Sequence, residues 1–166
     1  MYMCGAFFYV GRYKNKQDMV PVEEKNKRRN EKVMSFLIDS GANMSIVSSP
    51  STTRMLANPI IIQGFNGSES SAKRMGTVSG SVEAVAAANR ERRRKTIQSN
   101  IAGIYLPNGK NIMSVSQLTR DNDDMEVCFH AKGGSISLTD MGLSIPLRMT
   151  QGLYYMDMNV NVTQSK

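Results

Sequence analysis

Residues 33–42 read VMSFLIDSGA, a nearly continuous apolar run that stops abruptly at an acid. A short apolar run bounded by turn residues predicts a β-strand that is buried on both faces. An acid directly after such a strand is unusual, because removing a carboxylate from water is costly. Gly41 permits a sharp turn and close approach of a ligand, while Ser40 places a hydroxyl beside Asp39. Asp-Ser-Gly alone is more often an ordinary turn at the end of a strand, and the preceding run and Ala42 narrow that preference considerably.

The rest of the chain repeats this pattern of short apolar or alternating runs separated by turn residues. The runs are residues 59–62, 101–106 and 125–129, with further short runs within 136–147. Asn66-Gly67 follows the first of these runs, and Asn-Gly is typical of a type I′ hairpin turn, in which both central residues need φ above zero. Residues 111–118 carry apolar side chains at a three-residue spacing, which predicts a short helix. Many short strands and one brief helix predict an all-β barrel or sandwich.

Length and composition exclude membrane, collagen-like, disulfide-framework and zinc-finger classes of protein. The 166 residues correspond to about one domain, and no apolar run approaches the roughly 18 residues of a membrane-spanning helix. Cys4 and Cys128 lie far apart without a partner motif, which predicts free thiols in a reducing compartment such as the cytoplasm. His130 is the single histidine, so we expect no metal site and no cofactor. The net charge of +7 would suit an acidic partner.

Three motifs together resemble one family. FLIDSGA, at residues 36–42, resembles the active-site motif of retropepsin-type aspartic proteases. IYLPNGKNIMSVSQL, at residues 104–118, resembles a segment of copia-type retrotransposon Pol polyproteins, and QGLYYMDM, at residues 151–158, resembles the start of their GAG-pre-integrase region. The motifs occur in the family's order, and NIMSVSQL is the most specific of them. The chain departs from the family pattern at Asn43, where a small residue or serine is more usual, and it lacks the Gag and integrase zinc sites.

The resemblance implies an aspartic endopeptidase that cleaves the Gag-Pol polyprotein, folded as a small closed barrel of the retropepsin type with one short helix. Such enzymes need two carboxylates that share one proton, because like charges so close together cannot both ionise. One carboxylate activates a water molecule, and the other donates a proton. The segment most similar to the Asp39 motif elsewhere in the chain is LTDMG at residues 138–142. Its glycine lies where the motif's Asp-Ser-Gly would place it, but methionine follows the aspartate instead of a hydroxyl residue. We therefore expect a homodimer in which each copy supplies Asp39 as its catalytic residue.

By the same resemblance, the loop after Asp39 supports the active site. The supporting residues are Ser40, Gly41 and Ala42. Ser40 would hydrogen-bond across the dimer and hold the two loops rigid, and Gly41 would offer its backbone carbonyl to the substrate. Asn43 lies where retropepsins hold the peptide backbone of the substrate.

The hairpin around Asn66 and Gly67 would be the flap that covers bound substrate, and both residues would contact it. A glycine-rich tip suits a gate that must open. An ordinary exposed hairpin explains the same residues equally well. Residues 112–114 would pack beneath the catalytic strand.

The sequence divides into three regions. Residues 1–32, apolar and aromatic up to residue 13 and charged from residue 14, are expected to form an N-terminal extension or linker. Residues 33–130 are expected to form the retropepsin-like barrel. Residues 131–166 are expected to form a C-terminal β segment that leads toward the pre-integrase region.

A basic run, RERRRK at residues 90–95, offers an alternative partner. Its charged side chains would contact the phosphates of a nucleic acid. They are Arg90, Arg92, Arg93, Arg94 and Lys95. No aromatic residue interleaves with them, so a solvated loop that lengthens the barrel is the favoured interpretation.

Two other interpretations stay open at this point. One is a catalytically decayed barrel fragment of a Pol polyprotein, and the other is a basic nucleic-acid-binding module. An active element would place the protein in a cytoplasmic virus-like particle, and we expect no membrane partner.

Overall fold

The computed structural model describes residues 31–64, 67–86 and 94–161 of the chain. These residues form an all-β fold, which confirms the predicted fold class. The strands are β1 Glu31–Asp39, β2 Ile46–Val47, β3 Thr52–Gln63, β4 Glu69–Ala86, β5 Arg94–Tyr105, β6 Ile112–Ser114, β7 Met125–His130, β8 Gly133–Leu138, β9 Leu143–Thr150 and β10 Leu153–Asn161. Helix α1 covers Val115–Asp121, and a 3₁₀ turn covers Thr139–Met141. Residues 1–30 of the predicted extension lie outside the described residues.

The described strands form one 10-stranded sheet in the order β3-β4-β5-β2-β6-β1-β10-β9-β8-β7. Strand β4 also pairs with β10 and β9, so the sheet folds back on itself. The pairings therefore run from β4 through β5, β2, β6, β1 and β10 and return to β4. Most of the pairs are antiparallel, but β1 runs parallel to β6, and β2 runs parallel to β5.

Strand β1 buries one face rather than two. Met34, Phe36 and Ile38 point into the core, whereas Ser35 is exposed and Val33 is 59% exposed. The prediction of a strand buried on both faces is therefore wrong. The reason is that β1 pairs antiparallel with β10, and an antiparallel sheet can leave one face in water.

The C-terminal strands share the core of the N-terminal ones. Met156, Met158 and Val160 of β10 belong to the same buried cluster as Phe36 of β1. Strands β7 and β8 pair directly across the predicted boundary at residue 130. Residues 131–161 therefore complete the sheet and the core that residues 33–130 begin.

Only the second half of the predicted helix over residues 111–118 is helical in the structure. Ile112 and Met113 extend as β6 beside β1, and the helix begins only at Val115. Ser114 sets this start, because its hydroxyl accepts the Gln117 N–H and so caps the first turn. Within the part of the chain described, no helix is both long and apolar enough to cross a lipid bilayer.

Two backbone hydrogen bonds close the hairpin between β3 and β4. The Gly67 N–H donates to the Gly64 carbonyl at 2.9 Å, and the Gly64 N–H donates to the Ser68 carbonyl at 2.7 Å. Gly67 has φ of 77°, in the left-handed region that favours glycine. Asn66 lies outside the described residues, so the predicted type I′ turn stays a prediction.

An exposed ion pair joins the outward faces of β1, β9 and β10. Arg148 donates to both carboxylate oxygens of Asp157, at 2.9 and 3.0 Å, and the Ser35 hydroxyl donates to Asp157 at 2.6 Å. The hydrogen bond from Arg148 holds the pKa of Asp157 below its ordinary value of 3.8; partial burial opposes this shift, and the bond from Ser35 adds to it. The pair therefore links strands that are far apart in sequence.

Truncation of the buried face of β1 should cost much more stability than truncation of its exposed face. Phe36→Ala leaves a cavity at a fully buried position and should lower the free energy of unfolding by about 3–5 kcal/mol. Val33→Ala, on the same strand, should cost less than about 1 kcal/mol. Urea unfolding of the two variants measures the difference, and equal losses would contradict the assigned orientation of β1.

The ion pair should make stability depend on pH in acid. Because the folded pKa of Asp157 lies below its unfolded value, its contribution is fully present above pH 3.8 and is lost as pH falls through the lowered folded value. Asp157→Asn should lower the melting temperature slightly at neutral pH, since exposed pairs contribute little. In strong acid the melting temperatures of parent and variant should converge. A difference that stays constant across the titration would contradict this assignment.

Candidate active site

Asp39 is the last residue of β1 and is half-buried where the strand leaves the sheet. Strand β6 runs parallel beside it, with Ser114 opposite Asp39. The chain turns immediately afterwards, and the Gly41 N–H donates to Oδ1 of Asp39 at 2.8 Å. Such a bond is typical of aspartate at a turn, and it fixes the plane of the carboxylate. Among the described residues, Asp39 forms no ion pair, and its Oδ2 accepts no hydrogen bond.

The residues that follow Asp39 present a mixed surface. Ser40, Gly41 and Asn43 are exposed, whereas Ala42 is half-buried. The carbonyl of Ala42 accepts two hydroxyl hydrogen bonds, from Ser114 at 2.5 Å and from Ser116 at 3.1 Å. That carbonyl is therefore occupied, and the loop turns its Ser40, Gly41 and Asn43 positions toward solvent.

Ser45 anchors the far end of this loop at three points. Its N–H donates to Oε1 of Gln117 at 2.7 Å, and its carbonyl accepts the Ile104 N–H at 2.8 Å. Its hydroxyl accepts the Ser114 N–H at 3.1 Å. Ser45, Ser114 and Gln117 are each at most 1% exposed, and we call these three residues the Ser45 network. The network joins the loop to β5, β6 and α1.

Strand β5 packs closely against the peptide bond between Ser45 and Ile46, because residue 103 is a glycine and has no side chain. A Cβ atom at Gly103 would lie 2.7 Å from the carbonyl oxygen of Ser45, so only glycine fits this contact. On the other side of β2, the N–H and hydroxyl of Ser48 both donate to Oδ1 of Asn111, at 2.8 and 3.0 Å. The Asn111 carbonyl in turn accepts the Leu37 N–H at 3.0 Å, two residues before Asp39. The loop is therefore bound to the sheet at both ends.

A small apolar cluster connects the loop with the β3–β4 hairpin. Ala72, Met75 and Ile104 form its buried centre. Partly buried apolar side chains pack around that centre, one from the loop and three from β3. They are Met44, Leu56, Ile60 and Ile62. The body of the hairpin is therefore packed beside the candidate site.

Gly67, in the turn between β3 and β4, is exposed. A Cβ atom built at Gly67 would meet no heavy atom within 4 Å among the described residues beyond its chain neighbours. Asn66, the other hairpin residue predicted to contact substrate, lies outside the described residues. The structure therefore brings Asp39 and the next four residues together and shows no packing of Gly67 against them.

The last two residues of the basic run belong to β5. Arg94 and Lys95 are the exposed first residues of β5, and Nη1 of Arg94 lies 3.2 Å from Oε2 of Glu83 on the neighbouring strand. Arg90, Arg92 and Arg93 lie outside the described residues. One arginine of the run therefore already has an acidic partner within the chain.

Sequence reasoning missed the Ser45 network. Ser114 was available as a helix-start signal, because serine just before a helix is a frequent N-cap. Gln117 and Ser45 carry no such local signal, since their partners lie 72 residues apart in the chain.

Comparison of the chain with protein-family models, with curated proteins and with solved structures finds no match. The resemblance to copia-type Pol polyproteins therefore stays a prediction.

Two buried serines offer a matched test of the Ser45 network. Ser45 and Ser99 are both 1% exposed, but the Ser99 hydroxyl has no hydrogen-bond partner among the described residues. Ser45→Ala leaves the buried Ser114 N–H unsatisfied and should cost about 1–3 kcal/mol of stability. Ser99→Ala removes an unpaired polar group and should leave stability unchanged or raise it. Chemical denaturation compares the variants, and equal losses would show that the hydroxyl of Ser45 has no special role.

Proposed function

We propose that this chain is the aspartic endopeptidase domain of a copia-type retrotransposon Pol polyprotein and cleaves Gag-Pol as a homodimer. The observation that carries the proposal is the placement of Asp39. A half-buried carboxylate stands at the end of a core strand, oriented by the Gly41 N–H on a loop that the Ser45 network holds. A rigid loop at the end of a strand suits a catalytic group, because the chemistry requires a fixed geometry.

Each chain supplies one half of the reaction. With two copies of Asp39 facing each other, one carboxylate is ionised and the other is protonated, because both cannot ionise at close range. The ionised carboxylate takes a proton from water as the water oxygen attacks the peptide carbonyl. The protonated carboxyl group donates to the developing oxyanion. The first carboxyl group then gives the proton it took from water to the leaving amine as the C–N bond breaks. A hydroxyl proton of the tetrahedral intermediate returns to the second carboxylate as the product carbonyl forms, so the dyad again holds one proton.

The sheet pairings support a closed barrel of the retropepsin type for this domain. Strands β4, β5, β2, β6, β1 and β10 form a complete cycle of neighbours, as closure of a barrel requires. The hairpin of β3 and β4 lies beside the loop after Asp39 through the shared apolar cluster. That position suits a flap that covers a peptide bound across the dimer, with Asn66 and Gly67 at its tip.

Asp39→Asn should abolish self-processing of a Gag–protease fusion without unfolding the domain. The amide has nearly the size of the carboxylate but cannot act as acid or base, so cleavage should fall by at least about 100-fold. Asp140→Asn is the matched control, because Asp140 is an exposed aspartate in the similar LTDMG segment. It should cleave at the parental rate.

Gel analysis of the fusion over time, with melting temperatures for each variant, measures both effects. Parental cleavage by the Asp39→Asn variant would exclude the aspartic mechanism. A parent that is folded but shows no cleavage would instead indicate a decayed barrel fragment.

A further inference from the structure

We propose that Gln117 is a positioning residue that, through the Ser45 peptide, holds the substrate-facing loop of the active site in place. This inference rests on the proposed function. It extends the site to a buried side chain of α1 that lies 72 residues from the loop in sequence.

Gln117 is a polar side chain in an apolar setting. It is 1% exposed, and its neighbour Leu118 is fully buried in the main core. Burying an amide side chain is costly unless its polar atoms are bonded, so an apolar residue would fill the same space more cheaply. The 2.7 Å bond from the Ser45 N–H to Oε1 of Gln117 supplies a reason for its presence.

The hydrogen bond between Ser45 and Gln117 completes a closed set of hydrogen bonds. The Ser114 hydroxyl accepts the Gln117 N–H at 3.1 Å and donates to the Ala42 carbonyl, while the Ser114 N–H donates to the Ser45 hydroxyl. Both ends of the segment from Ala42 to Ser45 are therefore bonded to the first turn of α1. A shift of this turn would move both ends together.

The segment held between Ala42 and Ser45 contains a residue that is expected to contact the substrate. Asn43 is exposed between the two anchored ends and is the residue expected to hold the peptide backbone of the substrate. Ser45, Ser114 and Gln117, which hold this segment, are buried and take no part in the chemistry themselves. A displacement of about 1 Å at such a loop can cost about 100-fold in rate, because the reacting groups lose their alignment.

Two substitutions separate positioning from simple stability. Gln117→Met keeps the length of the side chain and removes the acceptor oxygen. Gln117→Glu keeps an acceptor oxygen, and in acid the buried carboxyl is protonated and neutral, since burial disfavours the charged form. Gln98→Met is the control for the chemical change, because Gln98 is exposed on β5.

The first measurement is cleavage of a synthetic peptide across a pH series, at a temperature where melting curves show each variant folded. Gln117→Met should lower kcat/KM at least about tenfold at every pH, with an increase in KM as well as a decrease in kcat. Gln117→Glu should match the parent within about threefold in acid and fall behind it as pH rises. Gln98→Met should behave as the parent. A Gln117→Met variant that melts at a lower temperature but keeps parental kcat and KM while folded would overturn the inference and leave a structural role.

The second measurement is amide hydrogen exchange, which needs no proteolysis. The Ser45 amide should exchange at least about tenfold faster in Gln117→Met, while the Phe36 amide in β1 keeps its parental protection. If Gln117→Met does not fold, Gln117→Glu replaces it. The compared quantity is then the protection of the Ser45 amide, its exchange rate relative to the intrinsic rate at the same pH, in acid and at neutral pH. Faster exchange of Ser45 without Asp39-dependent cleavage in the parent would refute the proposed function and leave the holding role of Gln117 intact. Unchanged exchange of Ser45 in both variants would refute the holding role itself.

Discussion

The hydrogen bond from the Ser45 N–H to the buried amide oxygen of Gln117 is the contact on which the rest of the candidate site depends. The loop after Asp39 has little regular secondary structure, so its backbone groups need partners elsewhere. Ile104 of β5 and the capping residue of α1, Ser114, supply the others. Without them, a half-buried carboxylate would stand on an unsupported turn, and its geometry would vary with every motion of the loop.

The sheet explains how this support reaches Asp39. Strand β6 runs parallel to β1 and places Ser114 opposite Asp39, so the start of α1 lies directly beside the end of β1. Strand β10 pairs with the other side of β1 and contributes buried methionines to the same core. The outward face of β1 carries Ser35 in the exposed network with Asp157, away from the core. Core packing and the exposed network with Asp157 therefore use opposite faces of one strand.

Much of this arrangement could be predicted from local sequence, and the reasons for the failures are physical. The apolar run before Asp39 predicts a core strand, but its composition does not show that Ser35 and Val33 face water, because pairing with β10 decides that. The apolar spacing over 111–118 does not show where extended chain gives way to helix, because pairing with β1 decides that. The Ser45 network depends on a contact between distant residues, and no local pattern encodes such a contact.

In the proposed enzyme, two copies of Asp39 form one active site, and mixing parent with the Asp39→Asn variant tests whether they do. The two proteins are unfolded together and refolded at constant total concentration, so that copies assort at random. If every site needs Asp39 from both copies, peptide cleavage should fall as the square of the parental fraction, to about one quarter in an equal mixture. A linear fall, to about one half, would show that a single chain carries a complete site and would contradict the account.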